Sequence, residues 1–193
     1  KLRDYADRYE ALLIFDEVQT GLGITGTLWA YEQTGVTPDL ICFGKKTQVC
    51  GVMSTRRIDE IETNVFHVSS RINSTWGGNL VDMVRCARYL EIIDEDGLVE
   101  NAAQVGAGLK AGLEELEADF EGVTNVRGAG LLVAMDLPDG ETRDRVWQGC
   151  WDRGLAVLSC GPRSIRLRPP LVFSKEDAST ALGTLREVLK ELG

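Results

Sequence analysis

The chain has 193 residues, 44% apolar and 26% charged, which excludes a disordered tail, a collagen-like repeat and a disulfide-stapled miniprotein. Its 30 acidic residues outnumber 21 basic ones, for a formal net charge of -9. That balance repels phosphate backbones and anionic bilayers, so neither nucleic acid nor a membrane surface is expected as a partner.

The predicted elements alternate between helix and strand. The chain opens at Lys1 inside a helical pattern over 2–10, and a longer parent polypeptide is expected. Residues 11–15 form a continuous apolar run, the mark of a strand covered on both faces in a parallel sheet, and the run stops at Asp16-Glu17. A loop with Gly21, Gly23 and Gly26 follows, then a short segment around Trp29 and Tyr31. Pro38-Asp39 opens a second buried strand over 40–43, which ends at Gly44-Lys45-Lys46, and residues 50–54 can make a third. From Asn79 the period changes: Leu80, Met83, Val84, Ala87 and Leu90 share one helical face. After a break at Asp96-Gly97, Leu98, Ala102, Val105, Leu109, Leu113 and Leu116 carry a second stripe. Beyond Phe120 the elements shorten: strands over 123–126 and 131–135, a helix over 142–153, strands over 155–158 and 164–167. Ser174 with Asp177 makes an N-terminal capping pattern for a last helix. The class is α/β, dividing near residue 118 into a sheet region over 1–118 and a small α+β domain over 119–193.

The five cysteines, Cys42, Cys50, Cys86, Cys150 and Cys160, show no CxxC spacing, which reads as reduced thiols in a cytoplasmic protein. His67 is the single histidine, and no zinc-ligand spacing is visible, so no metal site is expected. A Ser-His-Asp hydrolase would have to use His67, and no GxSxG accompanies it.

Chemistry is expected where strands end. Ligands of open α/β sheets sit outside the carboxyl ends of strands, and Asp16 and Lys45 each stand at such an end. A lysine amine can form a Schiff base with an aldehyde cofactor such as pyridoxal phosphate, while a carboxylate keeps the pyridine nitrogen protonated. The plain alternative is a paired Asp16 and a solvated Lys45. A nucleotide hydrolase would also use an apolar strand ending in Asp-Glu, but it needs GxxxxGK[ST]. The nearest string, Gly44-Lys45-Lys46-Thr47, has Lys46 at the hydroxyl position and Asp39 at the first-glycine position.

Five motifs occur in order: Asp16-Glu17-Val18-Gln19-Thr20-Gly21, Thr25-Gly26, Phe43-Gly44-Lys45-Lys46, Ser74-Thr75-Trp76-Gly77-Gly78-Asn79, and Ile165-Arg166-Leu167-Arg168-Pro169-Pro170. Together they resemble the class III (omega) aminotransferases, and the strings at 45–51 and 71–85 resemble those of L-lysine 6-aminotransferases. The resemblance implies the pyridoxal-phosphate-dependent transferase fold of type I. Residues 1–118 would then be the C-terminal part of the large cofactor-binding domain. It also implies a homodimer that moves the terminal amino group of L-lysine to 2-oxoglutarate. 4-Aminobutyrate or ornithine transfer, or an inactive fragment lacking its N-terminal half, are the alternatives. By the same resemblance Asp16 meets the pyridine nitrogen, Val18 packs on the ring and Gln19 reaches the phenolic oxygen. Lys45 is the Schiff-base lysine, and Thr75 donates to the phosphate of the neighbouring subunit's cofactor. Arg166 grips the substrate carboxylate, with Asn73 a further cofactor- or substrate-side candidate and Arg168 a position where many relatives lack arginine. Ile24 stands where many members carry arginine, an arginine that lysine and 4-aminobutyrate enzymes also lack. Trp29, Tyr31 and Trp76 are pocket walls or packing aromatics.

Overall fold

Residues 1–72, 75 and 77–192 are described by the computed structural model. They fall into two units: 1–22 with 28–96, and 23–27 with the chain from Gly97 onward.

The first unit opens with α1 (Leu2–Arg8) and holds a three-stranded sheet in the order β1–β2–β3. β1 (Ile14–Asp16) runs parallel to β2 (Leu40–Phe43), with Ile14 opposite Leu40 and Asp16 opposite Cys42. β3 (Gly51–Ser54) returns antiparallel. β1 is shorter than the apolar run suggests, because the first residues of that run spend their backbone groups elsewhere. Ala11 N–H closes α1 on the Ala6 carbonyl, and Leu13 N–H donates to the Asp39 carboxylate at 2.7 Å. Among the described residues β1 pairs with β2 alone, and Ile14 is 56% exposed.

Asp39 fastens this corner. Its buried carboxylate accepts from Arg3 at 2.8 Å as well as from Leu13, and Arg57 lies 3.6 Å away. Burial pushes its pKa up, but the Leu13 N–H and the Arg3 guanidinium outweigh that and hold it below the usual carboxylate range.

α2 (Leu80–Glu95) starts where the period predicts, with the Asn79 side chain accepting from Val81 N–H at 3.0 Å. The described residues leave its expected stripe uncovered: Leu80 is 77% and Val84 71% exposed, while Cys86 and Ile93 are the buried positions. Periodicity specified the helix but not what covers it.

The second unit sets α3 (Leu98–Asp119), α4 (Gly140–Asp152) and α5 (Lys175–Leu192) with a four-stranded antiparallel sheet, ordered β4–β5–β7–β6. The strands are β4 (Thr124–Ala129), β5 (Leu132–Asp136), β6 (Leu158–Cys160) and β7 (Ser164–Leu167). One core holds Leu109, Leu113 and Leu116 of α3, Val133 and Met135 of β5, Ile165 of β7, and Leu185 and Val188 of α5. Each such side chain contributes roughly 1.5–3 kcal/mol by leaving water. α3 therefore goes with the second unit, and the boundary by compactness lies at Asp96/Gly97, whereas residue 118 lies in the last turn of α3.

β6 begins three residues later than the sequence suggests. Leu155 N–H closes the end of α4 on Cys150, and the Val157 carbonyl accepts from the Trp147 indole at 3.1 Å, so neither joins the ladder. The capping of α5 is as expected: Ser174 Oγ accepts from Asp177 N–H at 3.0 Å and donates to its carboxylate at 2.8 Å.

Residues 23–27 join this unit through a close backbone approach. Leu131 N–H donates to the Ile24 carbonyl at 2.8 Å, and Ile24 is 2% exposed. Gly130 has φ +53°, and a Cβ there would stand 2.4 Å from the Thr25 carbonyl carbon. Only glycine fits this contact.

Candidate active site

Parallel pairing of β1 with β2 sends both chains out at the same edge of the sheet. Asp16, the last residue of β1, is in register with Cys42, and β2 leads through Gly44 to Lys45. Glu17 N–H extends the pairing to the Cys42 carbonyl at 2.9 Å. A carboxylate and an amine thus leave adjacent strand ends, where open sheets bind ligands.

The turn after β1 is built around a buried acid. Glu17 is 3% exposed; its carboxylate accepts from Tyr31 N–H at 2.7 Å and from the Thr20 hydroxyl, and its carbonyl accepts from Gly21 N–H. With Glu17 turned inward, Asp16 stays exposed, and its Oδ1 accepts from Val18 N–H at 3.0 Å. The same turn presents Gln19, whose Oε1 accepts from Lys45 Nζ at 2.7 Å and whose main-chain carbonyl accepts from Lys46 Nζ at 2.8 Å. Gln19 Nε2 is buried and has no hydrogen-bond partner among the described residues.

Lys45 opens a short 3-10 turn, Lys45–Thr47, in the left-handed region at φ +53°. A side chain in that conformation is strained by about 1–2 kcal/mol, so surrounding bonds must hold it. Gln48 supplies two, from its N–H at 3.0 Å and its Nε2 at 3.2 Å, both to the Lys45 carbonyl. Arg85 of α2 donates to Gln48 Oε1 at 3.3 Å, and the Thr47 hydroxyl ties to the Val49 carbonyl at 2.5 Å. Lys45 itself is exposed, and Lys46 half-buried.

Arg166 belongs to the second unit, on β7, between Ala134 of β5 and Leu158 of β6. It lines a cleft of about 250 Å³ with Arg168, Leu155, Leu158 and Phe173. Its Nε is buried without a hydrogen-bond partner among the described residues.

The structure therefore brings together Asp16, Val18, Gln19 and Lys45, and sets Arg166 in the wall of a cleft. Thr75 is exposed, in the turn before α2. Asn73, Ser74 and Trp76 lie outside the described residues. Trp29 packs at 6.3 Å, tilted 58°, against Phe43 at the end of β2, and Trp29 and Tyr31 both line a second cleft of about 240 Å³. Among the described residues no group of three or more His, Cys, Asp or Glu side chains could hold a metal ion. Sequence reasoning missed the buried Glu17, and the bonds of Lys46 and Gln48. The Asp-Glu pair was the one visible signal for Glu17. The bonds from Lys46 and Gln48 go to carbonyls, which leave no mark in a sequence.

These residues fit the cofactor that the resemblance implies. A buried amide N–H beside a lysine amine lacks an acceptor, which an anionic phenolic oxygen supplies. The exposed strand-end carboxylate can meet a protonated ring nitrogen, and a guanidinium with a buried, unsatisfied Nε suits a carboxylate.

Comparison with known proteins gives the family. Residues 1–189 match the aminotransferase class-III family. The chain is 52% identical over 189 residues to the L-lysine-epsilon aminotransferase of Mycobacterium tuberculosis, covering 97% of this chain and 42% of that protein. Human mitochondrial 4-aminobutyrate aminotransferase is 34% identical over 194 residues, covering 99% and 38%. The structure of lysine aminotransferase from M. tuberculosis in the internal aldimine form superposes with a TM-score of 0.96 at 51% identity, over 100% of this chain and 44% of that one. The chain thus spans less than half the length of these relatives. By sequence and by fold it belongs to the class-III aminotransferases.

Proposed function

We propose that the protein carrying this chain is a pyridoxal-phosphate-dependent transaminase that moves the terminal amino group of L-lysine to 2-oxoglutarate, giving 2-aminoadipate 6-semialdehyde and glutamate. The observation that carries the reading is the strand-edge group itself: Lys45 Nζ on Gln19 Oε1 at 2.7 Å, the unsatisfied Gln19 Nε2, and Asp16 on the neighbouring strand end. The choice of lysine rests on 52% identity to a lysine enzyme against 34% to a 4-aminobutyrate enzyme.

When bound, the cofactor supplies a ring that spreads negative charge from the substrate carbon. The chain's own residues do the rest. Asp16 would keep a proton on the pyridine nitrogen with its carboxylate. Val18, on the same turn, would face the ring, and Gln19 would offer its N–H to the phenolic oxygen. Lys45 would hold the cofactor through its amine and would move the substrate proton as acid and base. Arg166 grips a substrate carboxylate with its planar guanidinium. Thr75 serves the cofactor phosphate of a neighbouring subunit, which makes the enzyme a homodimer, and Asn73 is, by resemblance, a further candidate for binding the substrate. The absence of disulfide spacing supports a cytoplasmic location, and no described helix is long and apolar enough to cross a membrane.

The complete protein tests this. Borohydride reduction of the cofactor-loaded enzyme should fix the cofactor covalently on the peptide that contains Lys45, and Lys45→Ala should abolish the adduct. An adduct that survives Lys45→Ala unchanged overturns the assignment. Rates with lysine, ornithine and 4-aminobutyrate, each with 2-oxoglutarate, decide the donor; a clear preference for 4-aminobutyrate would overturn lysine while leaving the chemistry intact.

A further inference from the structure

Two adjacent lysines converge on one glutamine. Lys45 Nζ meets the Gln19 side-chain oxygen at 2.7 Å, and Lys46 Nζ meets the Gln19 main-chain oxygen at 2.8 Å. These two bonds join the turn after β1 to the turn after β2, and they differ in one respect. The bond from Lys45 is given up whenever that amine is committed to the cofactor or to proton transfer. The bond from Lys46 draws on no atom that takes part in the reaction.

We propose that Lys46 is a positioning residue: its ammonium holds the Gln19 backbone, so that the Gln19 side-chain N–H keeps its aim while Lys45 is engaged elsewhere. The proposal rests on the reading of Lys45 and Gln19 given above. Three features support it. Gln19 Nε2 is buried with no partner among the described residues, so the Lys45 bond to Oε1 is what orients the amide, and once that bond is given up its aim depends on the backbone behind it. Lys45 sits at φ +53° in a turn whose other described restraints, from Gln48, Thr47 and Arg85, do not reach Gln19. Lys46 is half-buried where Lys45 is exposed, as suits a fixed tether beside a moving amine. A bond from a charged donor is among the stronger single hydrogen bonds, enough to choose one orientation of a turn.

The test compares Lys46→Met, Lys46→Arg, Gln19→Ala and the double variant in the complete, cofactor-loaded enzyme. Lys46→Met should still yield the borohydride-fixed adduct on Lys45, while weakening pyridoxal phosphate binding about tenfold and altering the visible absorption of the bound cofactor and its pH dependence. Lys46→Arg, which retains a charged donor, should recover much of both. The double variant should resemble Gln19→Ala alone, because both changes disable the same N–H. An unchanged spectrum and affinity in Lys46→Met, or fully additive effects in the double variant, overturn the proposal. An adduct on Lys46 in the parent enzyme would instead overturn the site reading, and the proposal with it.

Discussion

Replacing Arg166 with alanine isolates the grip on the acid substrate. The guanidinium lines a cleft of about 250 Å³, and its Nε is buried with no partner among the described residues. A carboxylate entering the cleft would therefore gain bonds from a group that has little competing protein to satisfy it. Charge-assisted bonds in a bidentate pair are worth about 2–4 kcal/mol here, after discounting for the half-buried side chain's contact with water. That range corresponds to roughly a 30- to 800-fold rise in KM for 2-oxoglutarate. Arg166→Lys should fall between, since it keeps the charge and loses the planar fork. Steady-state kinetics with 2-oxoglutarate varied at saturating amino donor reads this directly, and circular dichroism confirms that the variant is folded. A folded Arg166→Ala enzyme whose KM changes by less than about twofold would remove Arg166 from the site.

Two further outcomes concern the second unit. The Asp136 carboxylate accepts from Ser164 Oγ at 2.5 Å, Asn125 Nδ2 at 2.9 Å and Arg127 at 2.8 Å, and these partners, Ser164 foremost, hold its pKa at about 2. A carboxyl depressed in the folded state stabilises above its unfolded value and loses that contribution as pH falls from about 4 to 2. Asp136→Asn should therefore be less stable by about 2 kcal/mol at neutral pH, with the gap to the parent closing across that acid window. Denaturant titrations at several pH values check this, and two parallel stability curves would refute it. Gly130→Ala should destabilise by about 2–4 kcal/mol, combining an L-residue at φ +53° with a Cβ placed 2.4 Å from Thr25. A variant within about 0.5 kcal/mol of the parent would show that residues 23–27 yield without cost.

What was legible depended on whether side-chain pattern or backbone bonding made the decision. β2 and α3 stood out because an apolar run between Pro38-Asp39 and Gly44, and a stripe from Leu98 to Leu116, leave little choice of element or face. β1 did not, since hydrophobicity cannot show that Ala11 closes a helix or that Leu13 donates to a distant aspartate. The exposed stripe of α2 makes the complementary point: period reveals a helix, while burial depends on what lies against it. At the site, Asp16 and Lys45 followed from strand ends alone, and Val18, Gln19, Thr75 and Arg166 from resemblance. The tether from Lys46 could not be foreseen, because every residue except its position in space offers the same carbonyl.

Residues 23–27 carry a consequence for modular exchange. They are encoded between β1 and β2 yet supply Ile24 to the core formed by the chain beyond Gly97. A recombinant hybrid joined at Asp96/Gly97 would take its Ile24 equivalent from one parent and the seat for it, beside Leu131, from the other. Such a hybrid inherits a mismatched side chain at the centre of an otherwise intact core. Grafts that move the five-residue loop together with the later segment avoid the mismatch, so the unit of exchange is discontinuous in the gene although it is contiguous in space.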